Sequence, residues 1–231
     1  MNENERKILE PPVKTAILVD GGFYRRRAQT VWGDKTAEER AEELHKYCLK
    51  HLHYKYEHNI LYRIFYYDCP PIDKKIYHPL LKKQIDFKKT DLYKWTNDFL
   101  SELRKKRKIA IRLGKLAEKQ ANYTIRPDVV KKLCNGSKTL ETLNEHDFML
   151  NLEQKGVDMK IGIDIASIAY KKQVNRIVLI SGDSDFVPAA KLARREGIDF
   201  ILDAMRAPVK PELSEHIDGM YTFVKQNNTH Q

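Results

Sequence analysis

Short apolar runs alternate with helical patterns along this chain, which is typical of an α/β fold. Runs rich in β-branched and aromatic residues predict strands at 15–20, 59–68, 109–113, 176–181 and 199–203, with a last short one at 220–224. Helical periodicity predicts helices at 36–53, 74–107, 157–172, 184–196 and 211–217. Strands separated by helices favour a mainly parallel sheet that is covered on both faces.

Nothing in the sequence divides the chain clearly. It has no internal repeat, no low-complexity segment and no Pro/Gly/Ser-rich linker, so we predict a single domain over 1–231. The stretch 117–150 is weakly patterned and predicts loops and short helices. The region around 69–135 is therefore interpreted as a basic, mainly helical elaboration of that domain.

Charge is concentrated in this same region. The chain has a net charge of +10, and residues 69–135 hold 18 Lys and Arg against 7 Asp and Glu. A localised positive surplus is typical of proteins that bind RNA or DNA. A lysine-rich helix face exposed to water would give the same count, and charge alone leaves both interpretations open.

Membrane and secreted classes have no support in the sequence. No apolar run approaches the 18 or more residues of a membrane span, and the first residues lack the apolar stretch of a signal peptide. Cys48, Cys69 and Cys134 lie far apart and form neither a C-x-x-C pair nor an even disulfide set. These features predict a cytoplasmic protein.

Acidic residues follow two of the predicted strands at the point where each ends. Asp20 closes the first strand, and Asp183 and Asp185 follow the strand that ends at Ser181. In open α/β sheets, ligands bind at the carboxyl ends of the strands, so these side chains are candidates for a site. A single aspartate there is more often a helix N-cap, but capping does not account for Asp183 and Asp185 together.

The helix predicted from Val157 adds two acids. At about 100° per residue, its core-facing stripe consists of Val157, Ile161, Ile165 and Ile168. Asp164 lies at one edge of that stripe and Asp158 just beyond the other. Acids in such places are costly unless they are paired or bind a metal, and pairing with Lys or Arg is the structural alternative.

Several carboxylates in one cleft repel each other unless a cation neutralises them. Oxygen-only ligands favour Mg²⁺ or Mn²⁺ over zinc. A metal held in this way can polarise a phosphodiester and activate water for in-line attack. The acids therefore predict a divalent-metal site with hydrolytic chemistry.

Taken together, the motifs resemble those of the NYN domain, a branch of the PIN-like nuclease superfamily. The resemblance rests on Ile17-Leu-Val-Asp20, Lys155-Gly-Val-Asp158, Asp164-Ile-Ala and Ser181-Gly-Asp-Ser-Asp-Phe186. It extends from the first strand to about Phe223 and is less distinct over 69–150. It implies a PIN-like three-layer α/β/α sandwich and a metal-dependent nuclease acting mainly on RNA.

The resemblance also implies roles for individual residues. It makes Asp20, Asp164, Asp183 and Asp185 metal ligands, with Asp158 as a further catalytic acid. Ser181 would support them at the strand end, and Lys155 would meet a phosphate. Many NYN domains have Asp-x-x-Asn after the first strand, whereas here Phe23 holds the fourth position, so a polar contact to the substrate is missing.

Basic and aromatic residues supply the predicted nucleic-acid contacts. They are Tyr24, Arg25, Arg26, Arg27, Arg104, Lys105, Lys106, Arg107, Lys155 and Ser181. Tyr24 could stack on a base and the arginines after it could hold phosphates. A partly buried aromatic beside solvated charges is the alternative.

Other chemistries lack their motifs. A haloacid-dehalogenase-like phosphatase needs an acid two residues after Asp20, where Gly22 stands. There is no G-x-G-x-x-G and no phosphate-loop Gly-Lys-Ser/Thr, and the histidines at 45, 51, 53 and 58 lack zinc-ligand spacing.

Two hypotheses of different classes follow. The first is an endoribonuclease that uses Mg²⁺ or Mn²⁺ and cleaves single-stranded RNA, with DNA left open as a substrate. The second is an RNA-binding or protein-interaction module with little or no nuclease activity, which Phe23 motivates. No feature of the sequence determines the oligomeric state, and a homo-oligomer remains open.

Overall fold

The structure, a computed structural model, describes residues 11–53, 58–117 and 121–225. In these ranges the strands are β1 (Val13–Asp20), β2 (Asn59–Asp68), β3 (Lys75–His78), β4 (Lys83–Asp86), β5 (Ile109–Leu113), β6 (Lys115–Leu116), β7 (Asn122–Ile125), β8 (Phe148–Asn151), β9 (Gln154–Lys155), β10 (Arg176–Ile180), β11 (Asp199–Asp203) and β12 (Gly219–Met220). The α-helices are α1 (Gly21–Trp32), α2 (Ala37–Lys50), α3 (Asp91–Lys105), α4 (Pro127–Cys134), α5 (Val157–Tyr170), α6 (Val187–Arg195) and α7 (Pro211–Ser214).

The chain forms two compact units. The first contains the described residues up to Asp68, then Asp98–Gly114 and the chain from Gly156 onward. Its centre is a six-stranded sheet in the order β12-β11-β10-β1-β2-β5, and every neighbouring pair is parallel. Because all six strands run the same way, their carboxyl ends share one edge of the sheet.

Both faces of this sheet are covered, which gives three layers. Successive residues of a strand point to opposite faces, and β2 shows what lies on each. The Tyr66 ring lies 5.6 Å from that of Phe99 on α3, centre to centre, on the face where α1 begins. The next residue, Tyr67, donates a hydrogen bond to Asp164 on α5. The predicted α/β/α arrangement with a parallel central sheet is confirmed.

Burial in the first unit follows the apolar runs of the sequence. Residues 16–19 of β1 have no exposed surface, and all five residues of β10 are buried. Predicted strands at 59–68, 109–113 and 199–203 are found with those bounds, and the 15–20 and 176–181 strands differ by one or two residues at an end. Only Gly219–Met220 is a strand in the place where we predicted 220–224.

The sequence does not predict helix α1, because two successive glycines after a strand, Gly21 and Gly22, are typical of a tight turn. In the structure the helix starts directly after Asp20. A Cβ on Gly21 would lie 2.4 Å from the Tyr66 hydroxyl and 2.6 Å from the Tyr67 carbonyl oxygen. The glycine therefore permits the close approach of α1 to β2.

The second unit consists of Cys69–Asn97 and Lys115–Lys155. It contains three antiparallel pairs, β3–β4, β6–β9 and β7–β8. The prediction of continuous helix over 74–107 is therefore wrong, since only α3 is helical there. In β3 the buried residues alternate, with Ile76 and His78 inward, and the His78 ring packs 4.3 Å from that of Tyr123. That period-two pattern was hidden by the surrounding lysines.

No helix among the described residues is long and apolar enough to cross a membrane. All three cysteines are free, two buried and Cys134 exposed.

Candidate active site at the carboxyl edge of the sheet

The first unit places its acids at the point where strand order reverses. From β1 the chain continues to β2 and β5 on one side, and the later strands β10, β11 and β12 lie on the other. The crevice at the carboxyl ends of β1 and β10 is thus the switch point, where open α/β sheets bind ligands. Asp20 ends β1, and because Val19 is level with Ile180, Asp20 is level with Ser181.

A chain of hydrogen bonds joins the two strand ends. The Ser181 hydroxyl donates to Asp20 Oδ2 at 3.2 Å and accepts from the Asp183 backbone N–H at 3.3 Å. Ser181 has no exposed surface. It therefore positions the two acids, and its predicted contact with nucleic acid is not compatible with its burial.

Asp20 is held from a second side as well. Its Oδ1 accepts the backbone N–H of Phe23 at 3.0 Å and so caps α1. Burial raises the pKa of the Asp20 carboxyl, the Phe23 and Ser181 hydrogen bonds partly offset this, and the charge of Asp158 raises it further. The capping alternative is correct for Asp20, but its second oxygen faces the end of β10.

Three further acids belong to two other segments. Asp183 directly precedes a 3-10 turn (Ser184–Phe186) and Asp185 lies within it, where Asp183 Oδ1 accepts the Asp185 N–H at 3.0 Å. Asp158 lies in the first turn of α5. Partial burial, and then the charges of Asp183 and Asp185, raise the pKa of Asp158. Four acids thus share one electrostatic neighbourhood at the switch point: Asp20, Asp158, Asp183 and Asp185.

Asp164 lies towards the half of the sheet that contains β2 and β5. Its Oδ2 accepts the Tyr67 hydroxyl at 2.8 Å and the Arg112 Nε–H at 3.2 Å. It is thus anchored over β2 and β5, with the arginine partner that the sequence left open as an alternative. The charge of Asp164 raises the pKa of Tyr67 beyond the increase caused by burial.

The carboxylates of these acids are ligands that suit a hard divalent cation, although their side chains are not gathered around one point. In the described part of the chain, no three His, Cys, Asp or Glu side chains stand together as a metal-binding group. Burial is the main cause of the raised pKa values of Asp20 and Asp158, and the charges of neighbouring acids add to it, so a nearby divalent cation would stabilise their ionised forms. All the available ligands are oxygens, as Mg²⁺ and Mn²⁺ prefer.

Phe23 lies directly against the acid-bearing turn. A Cβ on Gly182 would come within 2.9 Å of the Phe23 ring. The ring is half-buried and therefore fills the space between the start of α1 and the residue before Asp183. It is an apolar wall of the site where many NYN domains have an amide.

Two of the basic residues predicted to contact nucleic acid lie on α1 and support the fold. Arg25 forms an ion pair with the buried Asp68 at 3.0 Å, and Arg27 donates to the Met205 carbonyl oxygen at 2.8 Å.

Tyr24 is completely buried, and its hydroxyl donates to Glu43 at 3.1 Å. The prediction that Tyr24 stacks on a base is wrong, because its ring is inside the core. Arg26 is exposed, and its charge lowers the pKa of Asp20.

The basic run 104–107 lies at the amino ends of the strands, opposite the carboxyl ends where the acids lie. It ends α3 and immediately precedes β5, so it adjoins the amino ends of the strands. With about 3.3 Å per residue, the run and the acids are separated by about 15 Å along the strand direction. Lys105 pairs with Glu102 and Lys106 with Glu42. The run therefore does not adjoin the acids, and its predicted contact with nucleic acid stays a prediction. Lys155, in the second unit, is exposed and pairs with Glu153 at 3.5 Å.

Sequence reasoning missed two cations at the carboxyl edge. Arg112 is on β5 beside Asp164, and Lys210 precedes α7, where its Nζ donates to the Ser184 hydroxyl at 3.2 Å. Neither belongs to a run of like charge. The only signal for Arg112 was its place near the end of a predicted strand, and Lys210 had none.

The fold and the acids define an open α/β domain with an acidic cluster at its switch point. The chain belongs to the NYN domain family, whose model matches residues 14–222. NYN domains are part of the PIN-like nuclease superfamily, and the family generally comprises nucleases, which typically use divalent metals. Nucleic acid is therefore the class of substrate that the family implies.

Among solved structures, the chain is similar to a protein of unknown function, VPA0982, from Vibrio parahaemolyticus. The two share 13% identity, with a TM-score of 0.46 over 90% of this chain and 91% of that one. No curated protein matches the chain at a significant level.

Proposed function

We propose that this protein is a metal-dependent endoribonuclease that hydrolyses single-stranded RNA in the cytoplasm. The observation that carries the proposal is the electrostatic proximity of Asp20, Asp158, Asp183 and Asp185 at the switch point of a parallel sheet in an NYN domain. Mg²⁺ or Mn²⁺ held by these carboxylates would polarise a phosphodiester and lower the pKa of a bound water.

The chain's own residues prepare the site for that chemistry. Ser181 fixes Asp20 relative to Asp183, and the backbone N–H of Phe23 fixes the other oxygen of Asp20. These bonds hold the carboxylates in place before a substrate arrives, which reduces the reorganisation that cleavage would need. We propose Asp164 as a fifth acid of the site, predicted as a ligand and anchored here by Tyr67 and Arg112.

The test is cleavage of a circular single-stranded RNA, because a circle has no ends and only an endonuclease can open it. We expect opening with Mn²⁺ or Mg²⁺ and none with EDTA. Asp183→Asn should reduce the rate by at least about 100-fold, because the metal loses a charged ligand. Asp98→Asn, an exposed acid on α3, is the matched control and should retain the wild-type rate.

Equal cleavage by Asp183→Asn and wild type would contradict the proposal and would indicate a contaminating ribonuclease. A DNA circle of the same sequence determines whether the substrate is restricted to RNA. Asp164→Asn in the same assay shows whether that acid is as necessary as Asp183.

A second candidate function is RNA binding without efficient cleavage. Phe23 favours it, since its ring packs against Gly182 where an amide could otherwise contact the substrate. Binding of RNA without opening of the circle under any divalent metal would support this candidate. Turnover that is abolished by Asp183→Asn would exclude it.

A further inference from the structure

Three exposed cations accompany the acids, and each comes from a different element. Arg112 is on β5, Arg26 is on α1, and Lys210 precedes α7. Arg112 contacts Asp164 at 3.2 Å, with 46% of its side chain exposed. Lys210 contacts the hydroxyl of Ser184, the residue between Asp183 and Asp185, at 3.2 Å. Both therefore adjoin the acids while their charges remain open to solvent.

The order of the strands in the sheet determines the order in which these cations lie across the first unit. Arg112 is on the edge strand β5, α1 and its Arg26 follow β1 in the middle, and Lys210 lies by the turn after β10. With neighbouring strands about 4.8 Å apart, β5 and β10 are separated by about 14 Å. This span accommodates a short stretch of an extended strand, with the acids between its two ends.

The acids themselves repel a polyanion, so the cations that flank them are needed to hold one. A phosphate over Asp158, Asp183 and Asp185 meets like charge, whereas phosphates on either side meet Arg112 and Lys210. The run at 104–107 cannot serve this purpose, because it lies at the opposite edge of the same sheet.

We propose that the RNA strand crosses the carboxyl edge of the sheet transversely, with its phosphates bound by Arg112 on one side of the acids and by Lys210 on the other. Arg26 lies on this path between them. The inference deepens the proposed function and rests on it for the identity of the ligand. It assigns substrate binding to two residues outside the acidic motifs.

The experiment measures binding without cleavage. A fluorescent 12-nucleotide single-stranded RNA is titrated with the full chain in EDTA at several salt concentrations between 50 and 200 mM, and anisotropy gives the dissociation constant. Removing one cation that binds a phosphate of a single strand should lower the slope of log K against log salt by about 0.7. The variants are Lys210→Met, Arg112→Met and the control pair Arg104→Met/Arg107→Met.

We expect Lys210→Met and Arg112→Met each to bind more weakly and to reduce the slope by about 0.7, while the control pair matches wild type. Lys210 is exposed, so its variant should fold normally, and thermal unfolding verifies this for all variants. Unchanged slopes for Lys210→Met and Arg112→Met would overturn the proposal, as would an equal reduction in the control pair.

The result of this binding experiment does not depend on whether the protein cleaves RNA. A protein that shows the expected slopes but never opens the RNA circle would support the path and contradict the nuclease. A protein that opens the circle with unchanged slopes would support the nuclease and contradict the path. Absence of any RNA binding by wild type would overturn this inference directly.

Discussion

At the scale of single residues, Asp158 shows most clearly that the site costs stability. The pKa of its carboxyl is raised by partial burial and by the charges of Asp183 and Asp185. A raised pKa means that the folded state holds the proton more tightly than the unfolded chain does. The ionised form therefore destabilises the fold at neutral pH, and this cost disappears as the pH falls through the folded pKa.

Asp158→Asn should accordingly stabilise the protein at pH 7. Because much of the group is exposed, screening limits the expected gain to about 0.5 kcal/mol. The gain should vanish near pH 4, where the wild-type carboxyl also becomes neutral. Urea unfolding at both pH values measures it, with Asp98→Asn as the control on an exposed helix face. A loss of stability in Asp158→Asn at pH 7 would show that this acid is not repelled by its neighbours.

At the scale of elements, two glycines in helices have opposite roles. Gly21 begins α1, where a Cβ would meet the Tyr66 hydroxyl at 2.4 Å and backbone oxygen at 2.6 Å. Gly162 lies in the middle of α5, where a Cβ would meet nothing within 4 Å. The first glycine permits close packing of helix on sheet, and the second only weakens a helix.

We therefore expect opposite effects from the same substitution. Gly21→Ala should lower the free energy of unfolding by roughly 3 kcal/mol, because backbone and a buried ring must move. Gly162→Ala should raise it by about 0.5–1 kcal/mol, through the lower entropy of the unfolded chain and better helix propensity. Urea denaturation of the two variants in parallel tests this. Similar changes of one sign in both would contradict the close approach of α1 to β2.

The same elements show what a sequence can predict. The strands β2, β5 and β11 were located to the residue, because each is a short run rich in apolar, β-branched and aromatic residues. Helix α1 was missed because Gly21 has a tertiary cause, the neighbouring Tyr66. Strand β3 was missed because lysines precede and begin it and masked its alternation, and β4 was missed because its burial does not alternate.

At the scale of the whole molecule, topology determines which predicted residues can act together. The sequence places Asp20, Asp183 and Asp185 near one another because they follow strands and parallel strands end at one edge, whereas Asp158 and Asp164 lie on α5. The run at 104–107 directly precedes β5, so it lies at the amino ends of the parallel strands and away from the acids. Arg112 and Lys210 became visible only through contacts between segments distant in sequence, from Asp164 to β5 and from Ser184 to the loop before α7.

A metal bound at the acidic cluster would make the stability of the whole fold depend on metal concentration and pH. If Mn²⁺ binds the folded protein and not the unfolded chain, a concentration 100 times the dissociation constant stabilises it by about 2.7 kcal/mol. For a protein of this size, that is a rise in Tm of roughly 5–10 °C. Burial raises the pKa of both Asp20 and Asp158, so protons compete with the metal at a higher pH than for ordinary carboxylates.

We therefore expect Mn²⁺ to raise Tm at pH 7.5 and to raise it much less at pH 5, in thermal scans at one fixed metal concentration. Asp183→Asn should reduce the shift at pH 7.5, and EDTA should abolish it in the wild type. A shift of equal size at both pH values, or in Asp183→Asn, would place the bound metal elsewhere than among these acids. Because unfolding is the readout, the result holds whether or not the protein cleaves RNA, and it tests the metal site separately from the chemistry proposed for it.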